Sequence, residues 1–303
     1  MTLAQLVAAG GDRVEQDAAF GARTTYRVGG TVRVLVTLQS DRDLDELGPL
    51  IESTGLDVIV LGNGSNLLVA DGEHDIVGVH LEGQFGELTW RDEGASVVVE
   101  AGAALDLPVA ARRLSDDGVI GFEWAVGVPG TFGGAAVMNA GGHGSNMAAS
   151  VARVHTWRDG EHRTWTLHEL KYDYRTSALP SGEIVTGVTL TLLRGNAEVA
   201  RRQLKDIVRW RREHQPGGAN AGSVFRNPAG DHAARLIDAA GCKGLRVRSA
   251  VVSDKHANFF IVDAAGRAND VYELITVVRE RVLATSGVEL VSEHRFVGFG
   301  IDP

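Results

Sequence analysis

The chain of 303 residues has one cysteine, three methionines and seven prolines. A single cysteine excludes an internal disulfide framework and any cysteine-rich zinc site. Cys242 lies between Gly241 and Lys243, beside an expected helix end, which assigns it to packing rather than chemistry. No run approaches the ~18 apolar residues of a membrane span. The N-terminal MTLAQLVAAGGD lacks the basic region and apolar core of a signal peptide. A cytoplasmic protein without membrane insertion is therefore expected. The ten histidines are scattered, with no H-E-x-x-H pair, and no metal site is expected. A G-x-S-x-G nucleophile elbow is also missing, which weakens a serine-hydrolase reading. Lys and Arg number 30 against 39 Asp and Glu, a net charge of −9. That balance argues against broad nucleic-acid binding. Internal repeats and low-complexity tracts are absent.

What the chain has in excess is glycine, 38 residues against a usual share of ~7%. Hydrophobic residues make up 44% and charged residues 23%, values of a globular protein long enough for two or three compact units. Residues 124–144, WAVGVPGTFGGAAVMNAGGHG, carry no Asp, Glu, Lys or Arg. A loop of this length is ordinarily polar. Glycine lets backbone approach a neighbour closely, so the stretch is either a wall around a large flat cofactor or a buried turn–helix junction packed tightly on itself.

In chain order, TTYRVGG (24–30) leads into residues 32–36, whose apolar character predicts a buried strand. Ser40 and Asp43 predict a capping box. Leu44, Leu47, Leu50 and Ile51 recur at helical spacing, and Gly55 supplies a stop. Residues 56–61 predict the next strand, making a strand–helix–strand unit compatible with a parallel pair. The loop Gly62-Asn63-Gly64-Ser65-Asn66 follows directly. It can aim several N–H donors and a hydroxyl at a phosphate, or be an ordinary strand-ending turn. It is neither a Walker loop nor a G-x-G-x-x-G fingerprint.

Strands are expected at 76–81, 97–102, 151–157 and 184–193, with a helix at 107–114 ending near Gly118. In Lys171-Tyr172-Asp173-Tyr174-Arg175-Thr176-Ser177, an arginine among tyrosines and hydroxyls suits carboxylate recognition, or is a surface arginine. A linker is expected near 194–197. A basic amphipathic helix follows at 198–214, with Ala200, Leu204, Ile207, Val208 and Arg211 along one face. Residues 216–222 break it, and Ser223-Val224-Phe225-Arg226-Asn227-Pro228 offers a hydroxyl, a cation and an amide. A helix at 233–240 closes on Gly241, and residues 258–263 predict a strand. Val271, Leu274, Ile275, Val278 and Val282 mark a long helix stopping near Gly287, and 289–298 predicts a closing strand.

Seven motifs stand in one order: TTYRVGG (24–30), LGNGSNLL (61–68), GVPGTFGGAAVMNAG (127–141), YRTS (174–177), AGSVFRNP (221–228), KHANFFIV (255–262) and SEHRF (292–296). Together they resemble the UDP-N-acetylenolpyruvoylglucosamine reductase (MurB) family of peptidoglycan synthesis, over about residues 24–299. The shorter, second type of the family is the better match. The resemblance implies an α+β protein with an FAD-binding domain of the p-cresol methylhydroxylase type. That domain would span residues 1–193 as two α/β lobes, about 1–70 and 71–193. An α/β substrate-binding domain would span 194–288, and a closing segment, 289–303, would return to the N-terminal lobe and bring Glu293 to the active centre.

By the same resemblance, dissociable FAD would be held by Arg27, Gly29, Gly62, Asn63, Gly64, Ser65, Asn66, Gly127, Val128, Pro129, Gly130, Gly133, Gly134, Asn139, Ala140 and Gly141. NADPH would be the reductant and UDP-N-acetylglucosamine enolpyruvate the substrate, with Tyr174, Arg226, Asn227 and Lys255 binding it. The implied product is UDP-N-acetylmuramate, a cell-wall precursor, which links the chain to cell shape and division. Arg175 would pair with the substrate carboxylate and stabilise charge growing there. Ser223 would donate a proton to carbon. Glu293 would help stabilise the enolate, with a raised pKa, since a bare carboxylate would repel it. No nucleic-acid partner is implied, and the balance favours a monomer. Two rivals remain at this stage: another FAD-dependent oxidoreductase of the same architecture, and a nucleotide-sugar-binding protein without turnover.

Overall fold

The computed structural model describes residues 3–300. The last three residues of the expected closing segment and the first two of the N-terminal stretch lie outside the described residues. The fold mixes helices and sheets and divides into two compact units. One takes residues up to 16, 34–62 and 75–211; the other takes 17–33, 63–74 and those from 212 onward. Each has its own hydrophobic core. No helix among the described residues is long and apolar enough to cross a membrane.

In the first unit an antiparallel sheet runs in the order Glu161–Thr166, Val151–Arg158, Ile184–Arg194, Ser96–Gly102, Leu88–Glu93, with Val119–Ile120 pairing on Ile184–Arg194. Helix Leu107–Asp116 carries a proline in its first turn and buries Leu107, Ala110, Ala111 and Leu114. Proline is tolerated there because the first N–H groups of a helix lack partners anyway, and the three-to-four spacing gives one apolar face.

Helix Asp41–Ser53 buries Leu44, Leu47, Gly48 and Ile51. Its Gly48 lies so close to Trp157 that a Cβ would come within 2.2 Å of the indole, and the Trp157 N–H donates to Asp45 at 3.2 Å. The start of this helix differs from the expected capping box. Ser40 Oγ accepts from the Asp43 N–H at 3.2 Å, but the Asp43 carboxylate takes the Gln39 N–H at 2.8 Å and Arg13 at 2.7 Å. An arginine thirty residues away thus takes part in what looked like a local motif.

The expected parallel pair also resolves differently. The four-stranded sheet has the order Val14–Ala18, Thr31–Leu38, Glu73–Leu81, Asp57–Leu61. Strand Asp57–Leu61 pairs in parallel with Glu73–Leu81, which stands between it and Thr31–Leu38. The helical crossover therefore spans one strand position. Helix Ala197–His214 forms as expected and buries Ala200 and Leu204, with Ile207 packed beside them. Val208 is 38% exposed, off the expected face, because at 3.6 residues per turn it sits roughly 80° around the axis from Ala200.

In the second unit, helix Ala268–Ser286 buries Val271, Leu274, Ile275, Val278 and Val282. It stops at Gly287, whose φ of +71° and N–H bond to the Leu283 carbonyl form a left-handed cap. A three-stranded antiparallel sheet comprises Arg246–Val247, Ala250–Val252 and Phe260–Val262. Strand Arg295–Val297 pairs in parallel with Leu67–Val69. Both predicted strands at 258–263 and 289–298 are shorter than expected, because their first residues make irregular contacts with residues 223–226. Cys242 is buried and unpaired with another cysteine, and burial pushes its thiol pKa up.

Candidate active site

Residues 223–226 form the centre of the second unit's polar site. On one side, Ser223 bridges to Phe259, and the Val224 N–H donates to the Asn258 carbonyl at 2.9 Å. The Asn258 side chain acts as a substitute strand: Oδ1 accepts from the Phe225 N–H at 2.9 Å and Nδ2 donates to the Phe225 carbonyl at 2.8 Å. On the other side, Phe225 bridges antiparallel to Ser292, the Glu293 N–H donates to the Val224 carbonyl at 2.7 Å, and the Arg226 N–H donates to Val291 at 2.9 Å. Val224 and Phe225 are anchored in the core, while Ser223 and Glu293 remain half-buried. The antiparallel pairing brings these two predicted residues onto adjoining extended segments. Phe225 packs edge-on against Phe260, with ring centroids 6.0 Å apart.

The loop around Asn66 is tied to the same segment three times. Asn66 Nδ2 donates to the Glu293 carbonyl at 2.8 Å, its carbonyl accepts from the Arg295 N–H at 2.9 Å, and its Oδ1 lies 3.3 Å from His294 Nδ1. Behind it, the Tyr26 hydroxyl lies 3.0 Å from His294 Nε2. Both rings are buried, and burial pushes the His294 pKa down to about 4 and the Tyr26 pKa up. The remaining predicted residues of this unit have mixed roles. Arg27 is exposed in a left-handed turn, φ +59°. Gly29 is demanded by packing, since a Cβ there would meet the Val69 carbonyl at 2.2 Å. Asn227 Oδ1 accepts from the Ala233 N–H at 3.0 Å, at the start of helix Ala233–Ala239. Lys255 is exposed with its ammonium on the Arg212 carbonyl. Arg226 Nε is buried without a hydrogen-bond partner among the described residues.

Within the first unit, the glycine-rich stretch folds as a turn at Glu123–Gly127 and a six-residue helix, Phe132–Val137. Arg175 sits in a tight turn closed by reciprocal bonds between Asp173 and Thr176, each 3.2 Å. Its φ of +56° is unusual for a side chain of this size. The guanidinium reaches the Gly141 carbonyl at 3.1 Å and lies over the Tyr174 ring, 5.2 Å from its centroid. Ser177 donates to the Val137 carbonyl at 2.7 Å. Asn139 is buried; its Nδ2 donates to the Asp173 carbonyl and its Oδ1 accepts from the Ala148 N–H, both at 3.0 Å. The Arg175 turn and the glycine-rich stretch are therefore one hydrogen-bonded body.

The glycines need two explanations rather than one. A Cβ on Gly62 would meet Thr131 at 2.5 Å, one on Gly127 would meet His143 at 2.6 Å, and one on Gly141 would meet Ser145 and Asn146 at 2.6 Å. Those positions are explained by protein packing. Gly134 is different: it is exposed, and a Cβ there would meet nothing within 4 Å. The sequence singled out Asn258, Tyr26 and His294 only as members of motifs and assigned them no role; their partners lie 33 and 268 residues away, beyond any local signal.

The sequence profile of the UDP-N-acetylenolpyruvoylglucosamine reductase C-terminal domain matches residues 214–297, and that of an FAD-binding domain matches residues 32–162. A UDP-N-acetylenolpyruvoylglucosamine reductase of Chloroflexus aurantiacus is 37% identical, over 93% of this chain and 96% of its own. One of Moorella thermoacetica is 38% identical, over 92% of this chain and 91% of its own. The chain belongs to the UDP-N-acetylenolpyruvoylglucosamine reductase family. The crystal structure of the MurB reductase of Thermus caldophilus superposes with a TM-score of 0.81 at 35% identity, covering 94% of this chain and 99% of that one. The family architecture, an FAD-binding domain followed by the reductase's C-terminal domain, is thus present.

The residues present fit an FAD. Within residues 124–144 the short helix opens a face at Gly134 that side chains leave clear, beside an apolar, uncharged stretch suited to a flat ring system. The indole N–H of buried Trp124 has no acceptor among the described residues. No cluster of three or more metal-ligating side chains occurs among the described residues.

Proposed function

We propose that this chain reduces UDP-N-acetylglucosamine enolpyruvate to UDP-N-acetylmuramate with NADPH, through non-covalent FAD, in the synthesis of peptidoglycan precursors. The reading rests on the family membership, and the observation that carries its chemistry is the pairing of residues 224–226, which follow Ser223 directly, with the Glu293 segment. FAD, when bound, would supply the hydride-transfer chemistry that links NADPH to the terminal enol carbon.

The chain's own groups handle the charge and the proton. Hydride delivery to the vinyl carbon develops enolate charge next to the substrate carboxylate. Arg175 offers a planar fork for that carboxylate, and a fixed cation stabilises charge best where it grows. The Ser223 hydroxyl gives its proton to the carbon alpha to the carboxylate. A hydroxyl is a weak acid, so this step requires an acceptor as basic as an enolate. Glu293, protonated or hydrogen-bonded so that it does not repel the charge, helps stabilise the enolate. Tyr174, Arg226, Asn227 and Lys255 bind the rest of the substrate, with the cations and amide suited to its diphosphate. Residues 62–66, 127–130, 133, 134 and 139–141, with Arg27 and Gly29, hold FAD. In this division residues 1–193 serve FAD and lend Tyr174 and Arg175 to the substrate, 194–288 serve the substrate, and the segment from 289 onward brings Glu293 to the active centre. The enzyme works in the cytoplasm.

The test is anaerobic and in two stages. NADPH should bleach the flavin absorbance of the holoprotein, and the enolpyruvyl substrate should restore it. An alcohol or sugar that reduces the flavin directly would favour an oxidase of the same architecture. Ligand binding without any bleaching would favour a non-catalytic binding protein.

A further inference from the structure

A buried polar chain in the second unit ends on the main chain of Glu293. The Ala221 backbone hydrogen-bonds the Tyr26 hydroxyl, and that hydroxyl lies 3.0 Å from His294 Nε2. His294 Nδ1 lies 3.3 Å from Asn66 Oδ1, and Asn66 Nδ2 donates to the Glu293 carbonyl at 2.8 Å. A neutral imidazole has one donor and one acceptor nitrogen. The Asn66 carbonyl oxygen can only accept, so the ring proton belongs on Nδ1. Nε2 must then accept, and the tyrosine hydroxyl must donate. Every group in the chain has one role, and each is set by its neighbour. Asn66 cannot flip without placing its NH2 against the imidazole N–H and its oxygen against the Glu293 carbonyl.

We infer that Tyr26 and His294 are positioning residues, which lock the Asn66 amide in one orientation and through it fix the backbone that presents Glu293. The inference rests on the proposed reaction only for its effect on rate. Its consequence is specific: in FAD-saturated protein the step that uses Glu293 should suffer more than hydride transfer from NADPH to the flavin, even though Asn66 belongs to the FAD-holding loop. His294→Leu removes both ring hydrogen bonds at similar volume. His294→Asn retains a donor near the Nδ1 position. Tyr26→Phe removes only the far end of the chain.

The measurements are amide hydrogen exchange over residues 292–296 and the two half-reactions in stopped flow. His294→Leu should exchange faster at Glu293 and Arg295 and lose about ten-fold or more in flavin reoxidation by the enolpyruvyl substrate, since small displacements of a reacting group cost that much. Flavin reduction by NADPH should change less than about three-fold by the same reasoning. His294→Asn should recover most of both losses, and Tyr26→Phe should fall between. Unchanged exchange in His294→Leu, equal losses in the two half-reactions, or no recovery in His294→Asn overturns the inference. Nitrogen NMR of the wild-type apoprotein tests it without any variant: a ring proton on Nε2 contradicts the chain as drawn. A wild-type enzyme that never reoxidises with the enolpyruvyl substrate defeats the functional reading but leaves the exchange and NMR results to decide the positioning role.

Discussion

Asn258 supports the site more than its small size suggests, and Asn258→Ala measures how much. The side chain is 3% exposed and satisfies both the N–H and the carbonyl of Phe225, at 2.9 and 2.8 Å. Alanine leaves both backbone groups buried and unpaired. Each unsatisfied group costs ~1–3 kcal/mol, and a small cavity adds to the loss, so a destabilisation of about 4 kcal/mol is expected. That is a large fraction of the ~5–15 kcal/mol that holds a typical fold together. The loss should appear in the second unit. All five tryptophans, at 90, 124, 157, 165 and 210, lie in the first unit, so indole fluorescence is a poor reporter. Urea unfolding followed by far-ultraviolet circular dichroism, with amide exchange over residues 222–227, reports the relevant segment. Asn258→Asp should also destabilise, because a carboxylate cannot donate to the Phe225 carbonyl. A loss below about 1 kcal/mol in Asn258→Ala, well under the cost of two unpaired groups, with unchanged exchange at Phe225, would refute the reasoning.

Further outcomes follow from the same geometry. Ser223→Ala should still be reduced by NADPH but lose at least ~10²-fold in reoxidation by the enolpyruvyl substrate; normal reoxidation removes Ser223 as the acid. Arg175→Lys should lose mainly in that same half-reaction, because an ammonium cannot form the two-pronged contact, and unchanged kinetics would remove Arg175 from the mechanism. His294 titrates at about 4 in the fold and near ~6.5 when unfolded. The unfolded chain therefore binds the proton first, and the stability that the neutral ring contributes is full above pH ~6.5 and declines towards pH ~4. The stability gap between wild type and His294→Asn should shift against wild type by about 2–3 kcal/mol between pH 7 and 4.5; a constant gap in urea titrations would contradict the buried, neutral ring.

What could be read from the sequence was local and periodic. Helix Ala268–Ser286 was legible because its apolar residues repeat at one interval and Gly287 stops it. Strand Ser96–Gly102 was legible from its apolar run and Ile184–Arg194 from its alternation. The position of Asp57–Leu61 in its sheet was not, because its neighbour Glu73–Leu81 arrives later in the chain and inserts between two strands that looked adjacent. The catalytic candidates were legible only as motifs. Nothing in AGSVFRNP reveals that its backbone depends on an asparagine in KHANFFIV, nor that the histidine of SEHRF meets the tyrosine of TTYRVGG. The glycines illustrate the opposite limit. One residue type serves chain packing at Gly62, Gly127 and Gly141 and an open face at Gly134, and only three dimensions separate the two uses.

The most direct measurement of the central claim is NADPH oxidation by FAD-saturated protein, with UDP-N-acetylglucosamine enolpyruvate present or withheld under anaerobic conditions. The account predicts catalytic NADPH consumption only when that substrate is present, with one UDP-N-acetylmuramate formed per NADPH consumed. Folded, FAD-loaded protein that consumes no more NADPH with the substrate than without it would contradict the account.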